Sequence, residues 1–311
     1  MAKEKIGVVG TGNIGACYAT LSAGNGFDTT VIAYNEAEKE RCINTFEKNF
    51  ADLASYGLVT EANIEAARKL LHIYCDYSAL DGCEFVFEAT LENINVKKEV
   101  YANIEAVVAS DTIIASSTSS ITAEQLAEHV KVKERLIVAH PFQPAHLLPL
   151  VELVGNSTTT PEILAKAKRI LESMDRQVVV LHKDAAGFIV NRLAQALFRE
   201  SLYLVEQGVA TVEDIDKSIK YAVGMRYASI GLLEYFDDVG FDLEKSIALN
   251  VYPDLCGTTE IQDIVNKGIE AGTTGLLAGK GLYDWSDRDV EEYRQRKLKP
   301  YLDTFHWNLP E

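Results

Sequence analysis

The amino-acid sequence predicts an α/β domain followed by an all-α C-terminal domain. The chain has 311 residues, which is more than one typical domain requires. Up to about residue 184, short apolar runs typical of buried strands alternate with helical patterns. Beyond that point strand patterns stop and helical periodicity continues to the C terminus. We therefore expect domains at residues 1–184 and 185–311.

A glycine pattern follows the first predicted strand. The run from Ile6 to Val9 ends at Gly10-x-Gly12-x-x-Gly15, and a helical pattern comes next. An ordinary strand–helix turn is one interpretation, but position and context favour the dinucleotide fingerprint of a Rossmann-type domain. Phosphates would then lie at a helix N terminus, where free N–H groups and the helix dipole favour anions. The residues expected to bind the cofactor here are Gly10, Gly12, Asn13, Ile14 and Gly15.

The end of the second predicted strand bears on the type of cofactor. An acidic residue about 20 residues beyond the glycines usually binds the adenosine ribose. Asn35 occupies this position and Glu36 follows it. Because Glu36 would repel a 2′-phosphate, the sequence favours NAD over NADP. Asn35 could instead be the N-cap of the next helix, and the two roles are compatible.

The remaining pattern of the first domain predicts its other elements. Residues 36–71 carry two helical patterns broken near Tyr56-Gly57, which indicates a helical hairpin insert. Further strands are expected near residues 85–87, 112–115, 136–139, 149–154 and 178–181. In open parallel sheets, ligands bind outside the carboxyl ends of the strands. Ser119 and His140 follow two such ends and should face one crevice.

A carboxylate interrupts an otherwise apolar strand. Glu152 lies within the run Leu150 to Val154, and a buried carboxylate is costly without a partner. His140, on the preceding strand, could be that partner, which would leave its other ring nitrogen free to take a proton. A structural histidine and a structural ion pair are the alternatives for each residue alone. Their joint placement beside a cofactor loop favours an acid–base pair.

Composition excludes several classes of function. The net charge of −16 argues against nucleic acid or an anionic membrane as a partner. The five cysteines are odd in number and match no metal-binding spacing, so we expect no metal and a reducing, cytoplasmic environment. We see no signal peptide, and no apolar run approaches the ~18 residues of a membrane span. A small molecule is the expected partner.

Seven motifs, in order over nearly the whole chain, together resemble the 3-hydroxyacyl-CoA dehydrogenase family. They are the glycine loop, Glu88-Ala-Thr-Leu-Glu92, Ser116-Ser-Thr-Ser-Ser120, Ala139-His-Pro-Phe-Gln-Pro144, Leu150-Val-Glu-Leu-Val154, Gly187-Phe-Ile-Val-Asn-Arg192 and Gly279-Lys-Gly-Leu-Tyr283. The resemblance implies an NAD-binding Rossmann domain, a helical domain that forms a homodimer, and oxidation of an L-3-hydroxy group to a 3-keto group.

The resemblance also implies roles for individual residues. His140 would be the general base and Glu152 its orienting partner. Ser119 and Asn191 would be hydrogen-bond donors to the reacting oxygen, in contact with the substrate. Glu92 and Lys97, together with Asn35 and the glycine loop, would contact the cofactor. From its own pattern, Asn191 is a helix residue with no evident role.

Three departures from the family concern the substrate. Gln143 stands where the CoA enzymes usually carry Asn, and residues 43–71 hold few cations for the phosphates of CoA. The segment from Gly224 to Gly231 resembles the gulonate dehydrogenase (lambda-crystallin) and carnitine dehydrogenase branches. Within it, Arg226 could hold a carboxylate in bidentate fashion, or could be a surface or ion-paired arginine.

A small free 3-hydroxy acid, gulonate- or carnitine-like, is therefore the favoured substrate. One alternative is a CoA thioester such as (S)-3-hydroxybutyryl-CoA. A more remote alternative is a catalytically silent structural protein that binds NAD. The retention of Ser119, His140, Glu152 and Asn191 argues against that last interpretation.

Overall fold

The protein, described here from a computed structural model covering residues 3–310, forms two compact units. The first contains the described chain through Ile189 and again from Arg296 onward, and the second is Val190–Gln295. The sequence had placed the division after residue 184 and had assigned the whole C-terminal segment to the second part. The difference arises because the last residues of the chain pack into the first unit.

One sheet organises the first unit. Within residues 3–310 its eight strands have the order β3-β2-β1-β4-β5-β6-β7-β8. They are β1 (Ile6–Val9), β2 (Thr29–Ile32), β3 (Leu71–Tyr74), β4 (Phe85–Glu88), β5 (Ile113–Ser116), β6 (Leu136–Pro141), β7 (Leu150–Gly155) and β8 (Gln177–Val180). The first six are parallel, whereas β7 runs antiparallel to β6 and parallel to β8. Only residues 142–149 join β6 to β7, which is too short for a parallel crossover.

Within residues 3–189, six α-helices cover both faces of this sheet. They are α1 (Asn13–Gly24), α2 (Glu36–Ser55), α3 (Glu61–Leu70), α4 (Ile94–Glu105), α5 (Ala123–Ala127) and α6 (Pro161–Ser173). Successive strand residues point to opposite faces. In β4, Phe85 and Phe87 join the core cluster beneath α1, α2, α3 and α6, while Val86 joins the cluster beneath α4 and α5. The result is a three-layer Rossmann-type fold.

Strand β3 was not predicted from the sequence. It lies at the edge of the sheet beyond β2, and Ile73 is its one buried residue. His72 faces outward, with its Nε2 atom 3.3 Å from Asp28 Oδ1. Because an edge strand buries little, its four residues lack the apolar run that marked the central strands. Helices α2 and α3 form the connection between β2 and β3.

The C-terminal segment packs against the end of α1. Trp307 is 7% exposed, and a Cβ atom added to Gly24 would lie 2.3 Å from its ring. The Trp307 ring meets Phe50 of α2 edge-on at 6.3 Å between centroids. The backbone N–H of Asn308 donates to Asn25 Oδ1 at 2.9 Å. These contacts explain why the chain beyond Arg296 belongs to the first unit.

The second unit is helical. Its helices are α7 (Val190–Glu206), α8 (Val212–Ser218), α9 (Gly224–Ile230), α10 (Leu232–Val239), α11 (Phe241–Val251), α12 (Asp263–Glu270) and the start of α13 (Val290–Leu302). A π-helical turn, Ile219–Val223, joins α8 to α9. Gly231, with φ of 74°, separates α9 from α10. Among residues 3–310, no helix has the length and apolarity required to span a bilayer.

A buried histidine makes stability depend on pH. His146 follows β6 and is 7% exposed, and its Nδ1 atom lies 3.1 Å from Cys17 Sγ in α1. Burial, and secondarily the positive charge of Arg176, lower the pKa of His146 from 6.5 to about 4. Between these values the unfolded chain binds more protons than the folded chain. Stability is therefore lost as the pH falls from about 6.5 towards 4.

Replacing His146 with Gln should remove part of this pH dependence. Between pH 7 and pH 5, a histidine shifted in this way should account for about 2 kcal/mol of the wild-type loss in free energy of unfolding. Urea denaturation at both pH values measures the loss. The same replacement at the exposed His306 is the matched control and should leave the loss in free energy of unfolding between pH 7 and pH 5 unchanged. Equal losses in the wild type and the His146 variant would contradict this assignment.

Candidate functional site

The glycine loop has the backbone geometry of a phosphate cradle. Gly10 has φ of 106°, and a Cβ atom there would lie 2.5 Å from the carbonyl oxygen of Ala89. A Cβ atom on Gly15 would lie 1.9 Å from the carbonyl oxygen of Gly10. At Gly12 a Cβ atom would meet nothing within 4 Å. Gly10 and Gly15 are thus needed for the turn itself, while Gly12 borders open space.

That open space lies at the N terminus of α1. Gly12 is the N-cap, and the first turn begins with Asn13 and Ile14 and contains no acidic residue. The first backbone N–H groups of a helix have no partner within the helix, and the dipole there is positive. The loop therefore fits the pyrophosphate of a dinucleotide. The predicted cofactor residues of the loop thus lie together at the N terminus of α1.

Asn35 is the N-cap of α2. Its Oδ1 atom accepts from the backbone N–H of Glu38 at 2.9 Å. The capping role considered from the sequence is therefore present, and the side chain is exposed. The neighbouring Glu36 side chain is 80% exposed, and its carboxylate lies 3.7 Å from the ammonium of Lys39.

Glu88 is a buried hub that the sequence analysis did not single out. It is the last residue of β4, is fully buried and stands in register between Val9 of β1 and Ser116 of β5. Lys97 of α4 donates to both of its oxygens, at 2.9 and 3.0 Å. Ser116 and Tyr101 also donate to it, at 2.6 and 3.0 Å. Burial opposes ionisation of Glu88, but Lys97 and the hydroxyl donors outweigh it and lower its pKa.

Glu88 thereby joins three elements at the carboxyl edge of the sheet. It binds α4, the end of β5 and the loop after β4, where the Thr90 hydroxyl and N–H donate to its Oε1 atom. An acidic residue ending an apolar strand was the signal in the sequence. The same logic that identified Glu152 could have found it. Lys97, predicted to contact the cofactor, is 1% exposed and is paired with Glu88.

Glu92 organises the serine-rich loop after β5. Its Oε1 atom accepts from the Thr118 hydroxyl at 2.5 Å, from the Ser120 hydroxyl at 2.7 Å, and from the backbone N–H of Ser119 at 3.1 Å. Burial raises the pKa of Glu92, but these hydrogen bonds and the charge of Lys97 outweigh that effect and lower it. The predicted residues Glu92, Lys97 and Ser119 are therefore brought together, with the Ser119 side chain exposed.

His140 and Glu152 form the pair expected from the sequence. They stand directly opposite each other in the antiparallel β6–β7 ladder, and His140 Nδ1 lies 3.0 Å from Glu152 Oε2. Their side chains are 6% and 1% exposed. An ionised carboxylate only accepts hydrogen bonds, so Nδ1 is the donor in this pair, and in a neutral imidazole Nε2 would carry the lone pair. The pairing depends on the antiparallel direction of β7.

Three further contacts hold this pair in place. Glu152 Oε1 accepts from the backbone N–H of Ile189 at 2.8 Å. The ring of Phe188, which has φ of 49°, lies 5.1 Å from the His140 ring between centroids. Phe142 meets the same imidazole edge-on at 4.7 Å. The imidazole thus contacts two aromatic rings, and its hydrogen bond with Glu152 fixes its orientation.

The second unit carries the other two predicted site residues. Asn191 is half-buried in the first turn of α7. Arg226 is in α9, and its guanidinium lies over the ring of Tyr235 of α10 at 4.1 Å. An arginine stacked on an aromatic face keeps the in-plane N–H donors of its fork for a carboxylate. Among the described residues, no cluster of three or more His, Cys, Asp or Glu side chains could hold a metal ion.

Comparison with known families agrees with this geometry. The profile of "3-hydroxyacyl-CoA dehydrogenase, NAD binding domain" matches residues 5–185, and that of "3-hydroxyacyl-CoA dehydrogenase, C-terminal domain" matches residues 187–285. The chain belongs to the 3-hydroxyacyl-CoA dehydrogenase family. It is an NAD-dependent oxidoreductase, as the resemblance of its motifs implied. The C-terminal segment that packs on α1 lies beyond both matched regions.

Members of the family with different substrates are similar to this chain. L-carnitine dehydrogenase of Oceanobacillus iheyensis is 38% identical over 73% of each chain. 3-Hydroxybutyryl-CoA dehydrogenase of Mycobacterium tuberculosis is 33% identical over 91% of this chain and 99% of its own. The crystal structure of 5-formyl-3-hydroxy-2-methylpyridine 4-carboxylic acid 5-dehydrogenase, described as an NAD⁺-dependent dismutase, superposes with a TM-score of 0.85 at 26% identity, covering 97% of both chains.

Proposed function

We propose that this dehydrogenase oxidises the L-3-hydroxy group of a small free hydroxy acid to a 3-keto group. The observation that carries the proposal is the buried His140–Glu152 pair at the carboxyl edge of an NAD-binding sheet. A base oriented by a carboxylate beside a nicotinamide site can take the hydroxyl proton when an alcohol is oxidised.

The chain's own residues account for the proton in this reaction. Bound NAD⁺ supplies the acceptor for the hydride that leaves the carbinol carbon. His140 takes the hydroxyl proton at Nε2, because Nδ1 is held by Glu152. Glu152 stabilises the imidazolium that forms. In reduction, His140 returns the proton, and Ser119 and Asn191 donate hydrogen bonds to the oxygen on which negative charge develops.

The cofactor would be held by the glycine loop and the carboxyl edge of the sheet. Gly10, Gly12, Asn13, Ile14 and Gly15 would receive the pyrophosphate. The ribose and nicotinamide end would contact Glu92, Lys97 and the Ser119 loop, and the adenosine end would lie near Asn35. The hydrogen bonds of Glu88 and Glu92 support this assignment, because they hold the Lys97 side chain and the Ser119 backbone in place before the cofactor binds.

A free carboxylate is the substrate feature we propose, and Arg226 is its binding partner. L-Carnitine is a free 3-hydroxy acid, and the pyridine substrate of the structural relative also carries a carboxylate. The stacking of Arg226 on Tyr235 supports the role, since it leaves a planar fork of donors. The CoA thioester remains the second candidate, because 3-hydroxybutyryl-CoA dehydrogenase is similar over 91% of this chain.

Replacing Arg226 with Met should raise KM for the free acid by at least about 10-fold, because hydrogen bonds to charged groups contribute about 1.5–3 kcal/mol. Steady-state kinetics on the preferred acid measures this. Arg226→Lys keeps the charge but loses the planar pair of N–H donors, so its KM should lie between those of Arg226→Met and the wild type. Arg294→Met, at another exposed arginine of the second unit, is the matched control. An unchanged KM in Arg226→Met would remove the role.

The test of the proposed function is a comparison of kcat/KM by NADH formation. The panel contains (S)-3-hydroxybutyryl-CoA and the free acids L-gulonate, carnitine and 3-hydroxybutyrate. Preference for one free acid by about 100-fold, or about 2.7 kcal/mol in transition-state binding, would support the proposal. Preference for the thioester would overturn it. Absence of turnover with every member, while NADH binds, would favour the catalytically silent structural protein.

We also propose that the protein is a homodimer located in the cytoplasm. We place the domain boundary functionally near residue 185, with the helical part carrying substrate and homodimer contacts. Exposed apolar side chains on α7 support a second copy as the partner, with Leu193 and Leu197 51% and 50% exposed. A cytoplasmic location is proposed from the free cysteines.

A further inference from the structure

The ribose position at the end of β2 lacks the usual acidic residue. Asn35 is neutral, and its Oδ1 atom is already used to cap α2. A carboxylate at this place normally accepts from the ribose hydroxyls and excludes a 2′-phosphate. If the protein selects NAD over NADP at this position, another group near the ribose must do so.

Glu38 is tied to the glycine loop itself. The hydroxyl of Thr11, which lies between Gly10 and Gly12 and is 6% exposed, donates to Glu38 Oε2 at 3.1 Å. Arg41 Nη2 lies 2.5 Å from the same oxygen. Both of these distances are to Oε2, and Oε1 is the oxygen that we assign to a ligand. The carboxylate stands beside the loop, in the first turn of α2.

Glu36, the acid that the sequence favours for this role, makes different contacts. Its Oε1 atom accepts from the Cys75 thiol at 3.4 Å, and its Oε2 atom lies 3.7 Å from Lys39 Nζ. None of the described hydrogen bonds or ion pairs joins Glu36 to the glycine loop. The contact with Thr11 therefore distinguishes Glu38 from Glu36, although the two acids are only two positions apart in the sequence.

We propose that Glu38 determines the preference for NAD over NADP. Its Oε1 atom accepts from a hydroxyl of the adenosine ribose, and its charge repels a 2′-phosphate. Glu38 also neutralises Arg41, so that this guanidinium is not available to bind the phosphate. The inference deepens the cofactor half of the proposed function and rests on it, but it is independent of which hydroxy acid is the substrate.

The test is a titration of the full chain with NADH and with NADPH in the absence of any substrate. The fluorescence of the reduced cofactor measures binding. In Glu38→Gln, which keeps the shape and removes the charge, we expect Kd for NADH to rise about 10-fold and Kd for NADPH to fall about 10-fold. Glu38→Gln/Arg41→Met should keep the loss for NADH and lose the gain for NADPH, because the freed guanidinium is gone. Glu36→Gln is the matched control and should leave the ratio of the two Kd values near the wild-type value.

Rescue provides a second criterion. Asn35→Asp in the Glu38→Gln background should restore NADH binding and weaken NADPH binding, since Asp is also a good N-cap. An unchanged ratio of Kd values in Glu38→Gln would overturn the proposal, as would a shift in Glu36→Gln that Glu38→Gln does not show. Because no substrate is present, these outcomes are distinguishable from a failure of the substrate assignment.

Discussion

Replacing His140 with Ala should lower kcat by at least about 100-fold and leave NADH binding unchanged. The substitution removes the base, whose free ring nitrogen is Nε2 because Nδ1 is held 3.0 Å from Glu152. It leaves the glycine loop intact, since His140 lies at the end of β6 and the loop follows β1. Steady-state turnover of the preferred acid and fluorescence titration of NADH measure the two halves of this expectation.

Two variants sharpen the experiment. Glu152→Gln keeps the volume of the side chain but removes the charge that stabilises the imidazolium, so kcat should fall while KM for NAD⁺ stays near the wild-type value. The matched control, His306→Ala, changes an exposed histidine and should change neither quantity. Wild-type turnover in His140→Ala, or loss of NADH binding, would refute the assignment of His140 as the base.

Replacing Glu88 with Ala should lower the free energy of unfolding by about 3–5 kcal/mol, because it removes the main partner of a buried ammonium. Lys97 is 1% exposed, and Glu88 accepts from it through both carboxylate oxygens. The remaining nearby carboxylate oxygen, Glu92 Oε2, lies 3.6 Å from the ammonium and compensates in part. Urea denaturation at neutral pH, monitored by circular dichroism, measures the loss.

The double variant Glu88→Gln/Lys97→Met separates charge from packing. It removes both charges and keeps similar side-chain volumes, so it should be more stable than Glu88→Ala. The double variant should instead bind the cofactor more weakly, because the Lys97 ammonium is no longer present beside Glu92. A single Glu88→Ala variant with wild-type stability would show that the ammonium escapes to water and that the hub does not stabilise the fold.

The sequence by itself determined the features that depend on near neighbours along the chain. A strand, three glycines and a helix specify the phosphate loop through local backbone geometry, and the structure shows the positive φ and close approaches this requires at Gly10 and Gly15. Glu152 interrupting an apolar strand indicated a buried partner, and His140 lies opposite it. The family followed from the order of the motifs, and the matched regions confirm it.

Only the tertiary structure decided which distant groups meet. Glu88 acquires its role from donors in α4 and β5, and Glu38 from a hydroxyl on the glycine loop. The edge strand β3 and the return of Trp307 to Gly24 likewise depend on contacts between segments far apart in the chain. The physical reason is that periodicity and spacing report which face of an element is buried. They do not report which partner satisfies a buried charge, and that partner is set by packing in three dimensions.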